Sequence, residues 1–525
     1  MKSGNYTFPS SELLEGHKDE THMVSEEEIP EKSKRIIEVL KGLMIKVENV
    51  STIVGPTVTL YKIVPAKGIK ISAIRNHEED IAFALNTRSV RIVTLPDSVG
   101  IEVVNDRQST VPLKAMLSDE AFTDSKAELP VAMGVDIFNK VKVFDLADAP
   151  HLLIAGASNQ GKTTGINAII TSLLYAKHPS ELKFVLIDPK MVEFTRYSKL
   201  IRHYLAVLPD TADEKAEPGN AIVKQPKLAE DILSALCVEM DERNQLISQA
   251  EVRNIKEYNS KYRDGLLRPE DGHHFLPYIV VVIDEYADPT IPWGISMKSK
   301  GIAKNIMSAI IRLAQKGRAA GIHIIIATQR PSADVITGLI KANFPTRIAF
   351  RVSTRIDSIT ILDSPGAEHL IGKGDMLYSV GKEMERMQCA YITLDEISKI
   401  VDFIAAQTES AEGPYILPKP HNEANEDEKK ASVPVTEFDP LFEEVAEYVV
   451  KRAEVSVSDL QRKFAVGYCR GCRIMEQLES VGIVTSGQHP DSAHNSNGNY
   501  SVLVKGKKEL AKILSGINSQ EQREI

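Results

Sequence analysis

Cysteine is scarce: four residues, Cys237, Cys389, Cys469 and Cys472, are spread through a chain of 525. That excludes the disulfide framework of a small secreted domain and points to a reducing compartment. Long apolar runs are missing as well. YIVVVI (Tyr278–Ile283) and HIIIA (His323–Ala327) are the longest, far short of the ~20 residues a membrane helix needs. The opening stretch MKSGNYTFPSSELLEGHKDE lacks the apolar segment of a secretory signal. There is no basic excess either. With 63 Lys and Arg against 72 Asp and Glu, the formal net charge is -9, the reverse of what a dedicated nucleic-acid-binding domain shows. Any role on DNA must therefore rest on locally placed residues. What remains, 43% hydrophobic and 26% charged, is ordinary for a globular protein, and the length has room for roughly three or four domains.

Residues 1–35 are polar and acidic with few apolar anchors and read as a disordered lead-in. A small α+β domain is expected over 36–125, where GPTVTLYKIV and VRIVTLPDSVGIEVVN alternate like strands around a helical EEDIAFALN. From 126 to 405 short, fully apolar runs (HLLIAG, KFVLIDP, YIVVVIDE, IHIIIATQ, TRIAFRV) alternate with helix-length segments. Strands without a polar face belong to a parallel sheet covered on both sides, so an α/β P-loop domain is expected there. Residues 406–438, rich in Pro, Glu, Asn and Lys, read as a flexible tether. In 439–505, Asp439 and Pro440 open the first of three short helices, and a two-stranded hairpin closes a winged helix-turn-helix. Residues 506–525 are left as a tail.

Gly156-Ala157-Ser158-Asn159-Gln160-Gly161-Lys162-Thr163 fits G-x-x-x-x-G-K-[ST], placed after a strand and before a helix. Its glycines let backbone N–H groups face a phosphate, helped by the positive end of the helix that Thr164 continues. Lys162 would reach the β- and γ-phosphates of ATP, and Thr163 would ligate Mg²⁺. YIVVVIDEYAD ends a buried strand in two carboxylates: Asp284 to hold Mg²⁺ through water, and Glu285 to polarise an attacking water. ATQRP brings Thr328 and Gln329 to the same edge, where the amide can sense a γ-phosphate. Arg347 and Arg351 flank TRIAFRV; in ring ATPases such an arginine completes a neighbour's site, and Arg347 is the candidate taken here.

These motifs, in this order, resemble the FtsK/SpoIIIE family of double-stranded DNA translocases. YTFPSSELL resembles the end of the family's linker. HLLIAGASNQGKTTGINAI, IDPKMVEF, LPYIVVVIDEYAD, RLAQKGRAAGIHIIIATQRPSADVITGLIKANFPTRIAFRVST and GAEHLIGKGDMLY resemble its motor, and DPLF with GYCRGCRIMEQLESVGIV its terminal γ domain. The resemblance implies an α domain, a RecA-like ATPase β domain closing as a homo-hexamer around duplex DNA, and a winged-helix γ domain reading oriented sequences during chromosome partition at cell division. A site-specific recombinase or division proteins are the implied partners of the γ domain. The nucleotide loop departs from the family's Gly-Ser-Gly-Lys by carrying Asn159-Gln160, and asparagine tolerates left-handed backbone angles. PTIPWGISMKSKGIAK also departs, and Lys298, Lys300 and Lys304 are nominated there as pore contacts to DNA. The membrane helices of most family members are missing from this chain. It reads as cytoplasmic, either a soluble member or the motor portion of a longer protein anchored in the inner membrane.

At 100° per residue, the third C-terminal helix puts Ile474, Leu478 and Val481 on one side and Cys469, Cys472, Arg473 and Glu476 on the other. On a groove-facing surface arginine reads guanine and a carboxylate accepts from cytosine N4. Arg473 and Glu476 match base readers of the family, Cys469 replaces its usual asparagine, and Arg470 on the flank suits a phosphate. Cys469 and Cys472 with His489 and His494 fall outside the usual zinc-finger spacing. Two rival functions stay open: a conjugation-type coupling ATPase moving single-stranded DNA, and an ATP-gated winged-helix regulator.

Overall fold

The computed structural model describes residues 6–16, 28–87, 90–211, 221–290, 297–381, 383–407 and 413–420. It also describes 439–513, apart from 453, 465–469, 471–473, 476, 480, 487–498, 505, 507–508 and 512. The chain divides into two units, Met1–Pro420 and His421–Ile525.

The first unit begins with an antiparallel sheet of β1 (Val47–Val54), β2 (Val58–Pro65), β3 (Val90–Thr94) and β4 (Val99–Val104), in the order β1-β2-β4-β3. Alternation along VTLYKIV and VRIVT sends Tyr61, Ile63 and Ile92 to one face. There they meet Ile36 and Leu40 of helix Glu28–Gly42 and Ile81 of helix Glu78–Ala84. Strand β1 escapes a hydrophobic reading because it is half exposed along its length.

A nine-stranded sheet follows, in the order β6-β5-β14-β13-β12-β7-β11-β10-β8. Its strands are β5 (Pro130–Asp136), β6 (Val141–Asp145), β7 (His151–Ala155), β8 (Leu182–Ile187), β10 (Tyr278–Ile283), β11 (Ile322–Thr328), β12 (Thr346–Phe350), β13 (Asp375–Val380) and β14 (Glu383–Cys389); the two-residue β9 (Ala206–Val207) lies outside it. The five expected apolar strands form its parallel half, β12-β7-β11-β10-β8. Every residue of β7, β8, β10 and β11 is buried, because a separate hydrophobic core covers each face. The four antiparallel strands extend the sheet beyond the sequence reading. Since β11 lies between β7 and β10, the two strands that end in phosphate-site motifs are held one strand apart.

Several expected boundaries move. The lead-in is not free chain: Leu14 is 1% exposed in the motor core, and Tyr6 Oη lies 2.8 Å from Tyr204 Oη. Glu15 N donates to Glu396 Oε1, and a helix starts at Glu28 rather than after residue 35. Val111, Leu113, Met116 and Leu117 pack in the motor core, so the α domain ends before them and not at 125. The tether starts later than 406, because β15 (Tyr415–Ile416) pairs with β9 and Leu417 is buried.

In the second unit, helices Phe442–Val449 and Val457–Phe464 and the helical residues among 470–479 enclose a core with Ile474, Met475 and Leu478 fully buried. The sheet has three strands rather than two: β16 (Glu454–Ser456), β18 (Asn499–Val502) and β17 (Val484–Ser486), in that order. Leu510, assigned to the tail, belongs to this core. Asp439 Oδ1 accepts from Leu441 N at the helix entrance.

The α domain is tied to the motor by a buried charge cluster. Arg386 of β14 donates to Glu102 of β4 at 2.5 Å and, through two nitrogens, to Asp375 of β13 at 2.6 and 3.0 Å. All three side chains are buried. Burial pushes the Glu102 carboxyl up, but the fields of Arg386 and then Arg91 outweigh it and hold the group below its ordinary value. Arg386→Ala would leave the buried Asp375 without its cation and Glu102 with Arg91 alone, and should cost about 3–5 kcal/mol of unfolding free energy, read by urea denaturation. The Glu102 contribution is complete above the unfolded carboxyl value of about 4.3 and is lost as pH falls through the lower folded value. The acid limb of the stability curve should therefore flatten in Arg386→Ala.

Candidate nucleotide site

The parallel strands converge on one edge, and the expected residues meet there. Leaving β7, the loop Gly156–Gly161 turns sharply into helix Lys162–Ala176. Asn159 adopts φ 62° and Gly161 φ 117°, so asparagine occupies the left-handed position as anticipated. A Cβ on Gly161 would stand 2.7 Å from Gly374 Cα, and Gly374 N donates to Gln160 O at 3.0 Å. The loop is thus clamped by the Gly372–Gly374 turn that precedes β13. Ala157 N donates to Arg351 O, tying the other side to the end of β12.

Lys162 is 3% exposed and Asp284 1%. The ammonium donates to Asp284 O at 2.6 Å and to Asp284 Oδ1 at 2.8 Å. Burial raises the Asp284 carboxyl above its ordinary value despite the opposing pull of Lys162. Glu285 is fully buried. It accepts from Thr328 Oγ1 at 2.6 Å, from the Gln329 backbone N–H at 3.1 Å and from Lys190 Nζ at 3.3 Å. Gln329 also accepts, at Oε1, from Ser158 Oγ of the loop at 2.8 Å. One residue at the end of β11 therefore touches both the phosphate loop and the second carboxylate. Thr163 Oγ1 donates to Glu193 Oε1 at 3.0 Å, and burial, with Asp284 next, raises the Glu193 carboxyl.

The oxygen donors suit Mg²⁺, which prefers hydroxyl, carboxylate and water oxygens. Thr163 and Asp284 lie at the loop, and the fields of Asp188 and Glu285 add to the charge around Asp284. Asp188 Oδ1 is buried with no hydrogen-bond partner. Asp188, Lys190 and Glu193 were missed as site residues, although IDPKMVEF ends an apolar strand in a carboxylate just as YIVVVIDEYAD does. That shared strand-end acid was the available signal.

Other candidates are placed differently. Arg347 is 14% exposed at its side chain and is committed to the Phe344, Ile361 and Lys341 carbonyls and to Asp363. Within its own chain it braces the end of a helix, so a role at a neighbour's nucleotide would require those bonds to break. Arg351 is exposed, and its carbonyl accepts from Ala157 N of the loop. Lys304 is exposed on helix Met297–Lys316; the side chains of Lys298 and Lys300 lie outside the described residues. In the second unit Arg470 pairs with both Asp439 oxygens at 2.8 and 2.9 Å through Nη2 and Nε, at the entrance of the first helix of that unit. Cys469, Cys472, Arg473, Glu476, His489 and His494 lie outside the described residues.

Residues 8–105 match the FtsK alpha domain, 112–333 the FtsK/SpoIIIE family and 436–492 the FtsK gamma domain. The DNA translocase FtsK of Haemophilus influenzae is 40% identical over 507 residues, covering 92% of this chain and 90% of that protein. The chain belongs to the FtsK/SpoIIIE family. The DNA translocase FtsK of Chlorobaculum tepidum is likewise 40% identical, over 98% of this chain, and that of Pasteurella multocida 40% over 95%. This chain spans 61% and 52% of those two proteins. A solved monomer of the pCW3 conjugation coupling protein TcpA overlays with a TM-score of 0.49 at 22% identity, over 71% of this chain and 99% of that one. The FtsK alpha-domain match stops at 105 and the FtsK/SpoIIIE match starts at 112, on either side of the point where Val111 enters the motor core. No described helix is long and apolar enough to cross a membrane.

The clamp between Gly161 and Gly374 is testable. Gly161→Ala forces a positive φ on alanine and drives its methyl into backbone. It should abolish ATP binding in calorimetry and destabilise the chain by about 1–3 kcal/mol in thermal unfolding. Asn159→Gly, which keeps the left-handed angle accessible, should leave both within about 1 kcal/mol.

Proposed function

We propose that this chain is an ATP-driven motor that moves double-stranded DNA, acting as a homo-hexamer in chromosome segregation. One observation carries the ATPase part: Gln329 bonds Ser158 of the phosphate loop and Glu285 at the same time. A displacement of the loop by γ-phosphate is thereby felt at the carboxylate that handles the attacking water.

The chemistry follows from what each side chain now holds. Lys162 exchanges the Asp284 carboxylate for the β- and γ-phosphate oxygens, so its buried charge is never left unpaired. Thr163 and Asp284 would hold Mg²⁺, which when bound neutralises charge on the phosphate oxygens. Glu285 takes the proton from the water whose oxygen bonds the γ-phosphorus as the bond to the β–γ bridging oxygen breaks; ADP and phosphate leave. Thr328 and the Gln329 N–H keep the Glu285 carboxylate oriented, and Lys190, on an exposed turn, adds a contact that can be withdrawn.

The DNA part rests on the FtsK relatives, each named a DNA translocase, together with the gamma-domain match. In this reading the winged helix reads oriented sequences and sets direction, with a recombinase or division proteins as its partners. Lys162→Ala should abolish DNA-stimulated ATP hydrolysis through loss of nucleotide binding. Glu285→Gln should keep binding but lower turnover by about 10²-fold or more. Displacement of a triplex-forming strand from duplex DNA, with and without ATP, checks the motor. Hydrolysis indifferent to duplex, with no displacement, would refute the proposal.

A further inference from the structure

The phosphate loop opens into a cavity of about 640 Å³, within the range of a site for a whole nucleotide rather than a triphosphate alone. Its lining falls into two chemical groups. The first is the loop with Lys162, Thr163, Glu193 and Gln329. The second is Gln108, Ser109 and Thr110, together with Thr57 of the α domain, which carry neutral hydrogen-bonding groups, and Tyr391, an aromatic residue that is 41% exposed.

The two sources of that second group are stitched together. Tyr391 N donates to Val111 O at 2.7 Å, and Leu113 N donates to Tyr391 O at 2.9 Å. Ser109 N donates to Pro56 O, next to Thr57, at 2.9 Å. The segment leaving the α domain is thus held in register with the strand end that carries the ring. An aromatic face with neutral hydroxyls and an amide around it, and no carboxylate among these residues, suits a base and ribose; a metal or a cationic peptide would select acids.

We propose that Tyr391 and the α-domain loop Gln108–Thr110 hold the nucleoside half of the nucleotide, the ring stacking on the base and the loop bonding the ribose. This rests on the ATP reading of the phosphate loop and extends it to a domain outside the motor. Nucleotide binding then bears directly on the chain between α domain and motor, so base recognition and the setting of the α domain are one event.

The test compares ATP with inorganic tripolyphosphate, which has no base or ribose, by calorimetry on the full chain in a Glu285→Gln background that prevents turnover. Tyr391→Ala should weaken ATP about tenfold or more and leave tripolyphosphate unchanged, with Tyr391→Phe restoring ATP affinity. Gln108→Ala, on a loop outside the strands, should shift the same ratio in the same direction and carries the comparison if Tyr391→Ala does not fold. Unchanged ratios of ATP to tripolyphosphate affinity in both variants would overturn the nucleoside assignment while leaving the phosphate site standing. Failure of the unsubstituted site to bind either compound would overturn both.

Discussion

A buried ammonium cannot be left alone, and the site of this protein is organised around that constraint. Lys162 lies at the first turn of a helix whose interior is packed against the sheet, nearly closed to water. Removing a partner from such a charge costs several kcal/mol, more than most surface contacts provide. Asp284 supplies the partner through both its carboxylate and its carbonyl. Because the lysine takes its partner from the end of β10, the position of the loop and the geometry of that strand end are linked.

The same economy of partners runs outward from that pair. Glu285 is satisfied by Thr328, by Gln329 and by Lys190, Thr163 by Glu193, and Gln329 by Ser158. Each bond joins residues from different strand ends, so the loops after β7, β8, β10 and β11 respond as a set. On the far side of the loop, Gly374 touches Gly161, and the next residue, Asp375, shares Arg386 with Glu102 of the α domain. One backbone step, from Gly374 to Asp375, separates the contact with the loop from an interdomain ion cluster. That proximity gives a physical path by which a change at the loop reaches the α domain.

Much of the site was readable because its residues sit at strand ends that announce themselves. Asp284, Glu285 and Gln329 follow runs of apolar residues too uniform to be an exposed strand, and Lys162 and Thr163 close the glycine-rich spacing that starts where β7 ends. What hid from the sequence had no such marker. Lys190 and Glu193 lie in the turn beyond Asp188, whose residues have no periodic pattern, and Tyr391 reaches the site from two residues past the end of β14, about 230 positions after the loop. Leu14 and Tyr6 were read as free chain because one apolar residue among polar neighbours reveals no core unless the surface that receives it is known. Arg347 stands beside the expected strand, but its bonds to the Ile361 carbonyl and Asp363 join it to a helix end that its own strand does not announce.

The sequence alone determined the class of the fold and the family, and it marked the glycine-rich loop and the two carboxylates that the fold brings beside it. Those depend on local spacing and on unbroken apolar runs, which one stretch of chain carries by itself. Tertiary structure decided which charge faces which: Lys162 toward Asp284, Lys190 toward Glu285, Arg386 between two acids, and Tyr391 across from the α-domain loop. The reason is that Coulomb and hydrogen-bond partners are chosen by distance in space. For groups carried on different strand ends, that distance is set by strand order, which no single segment encodes.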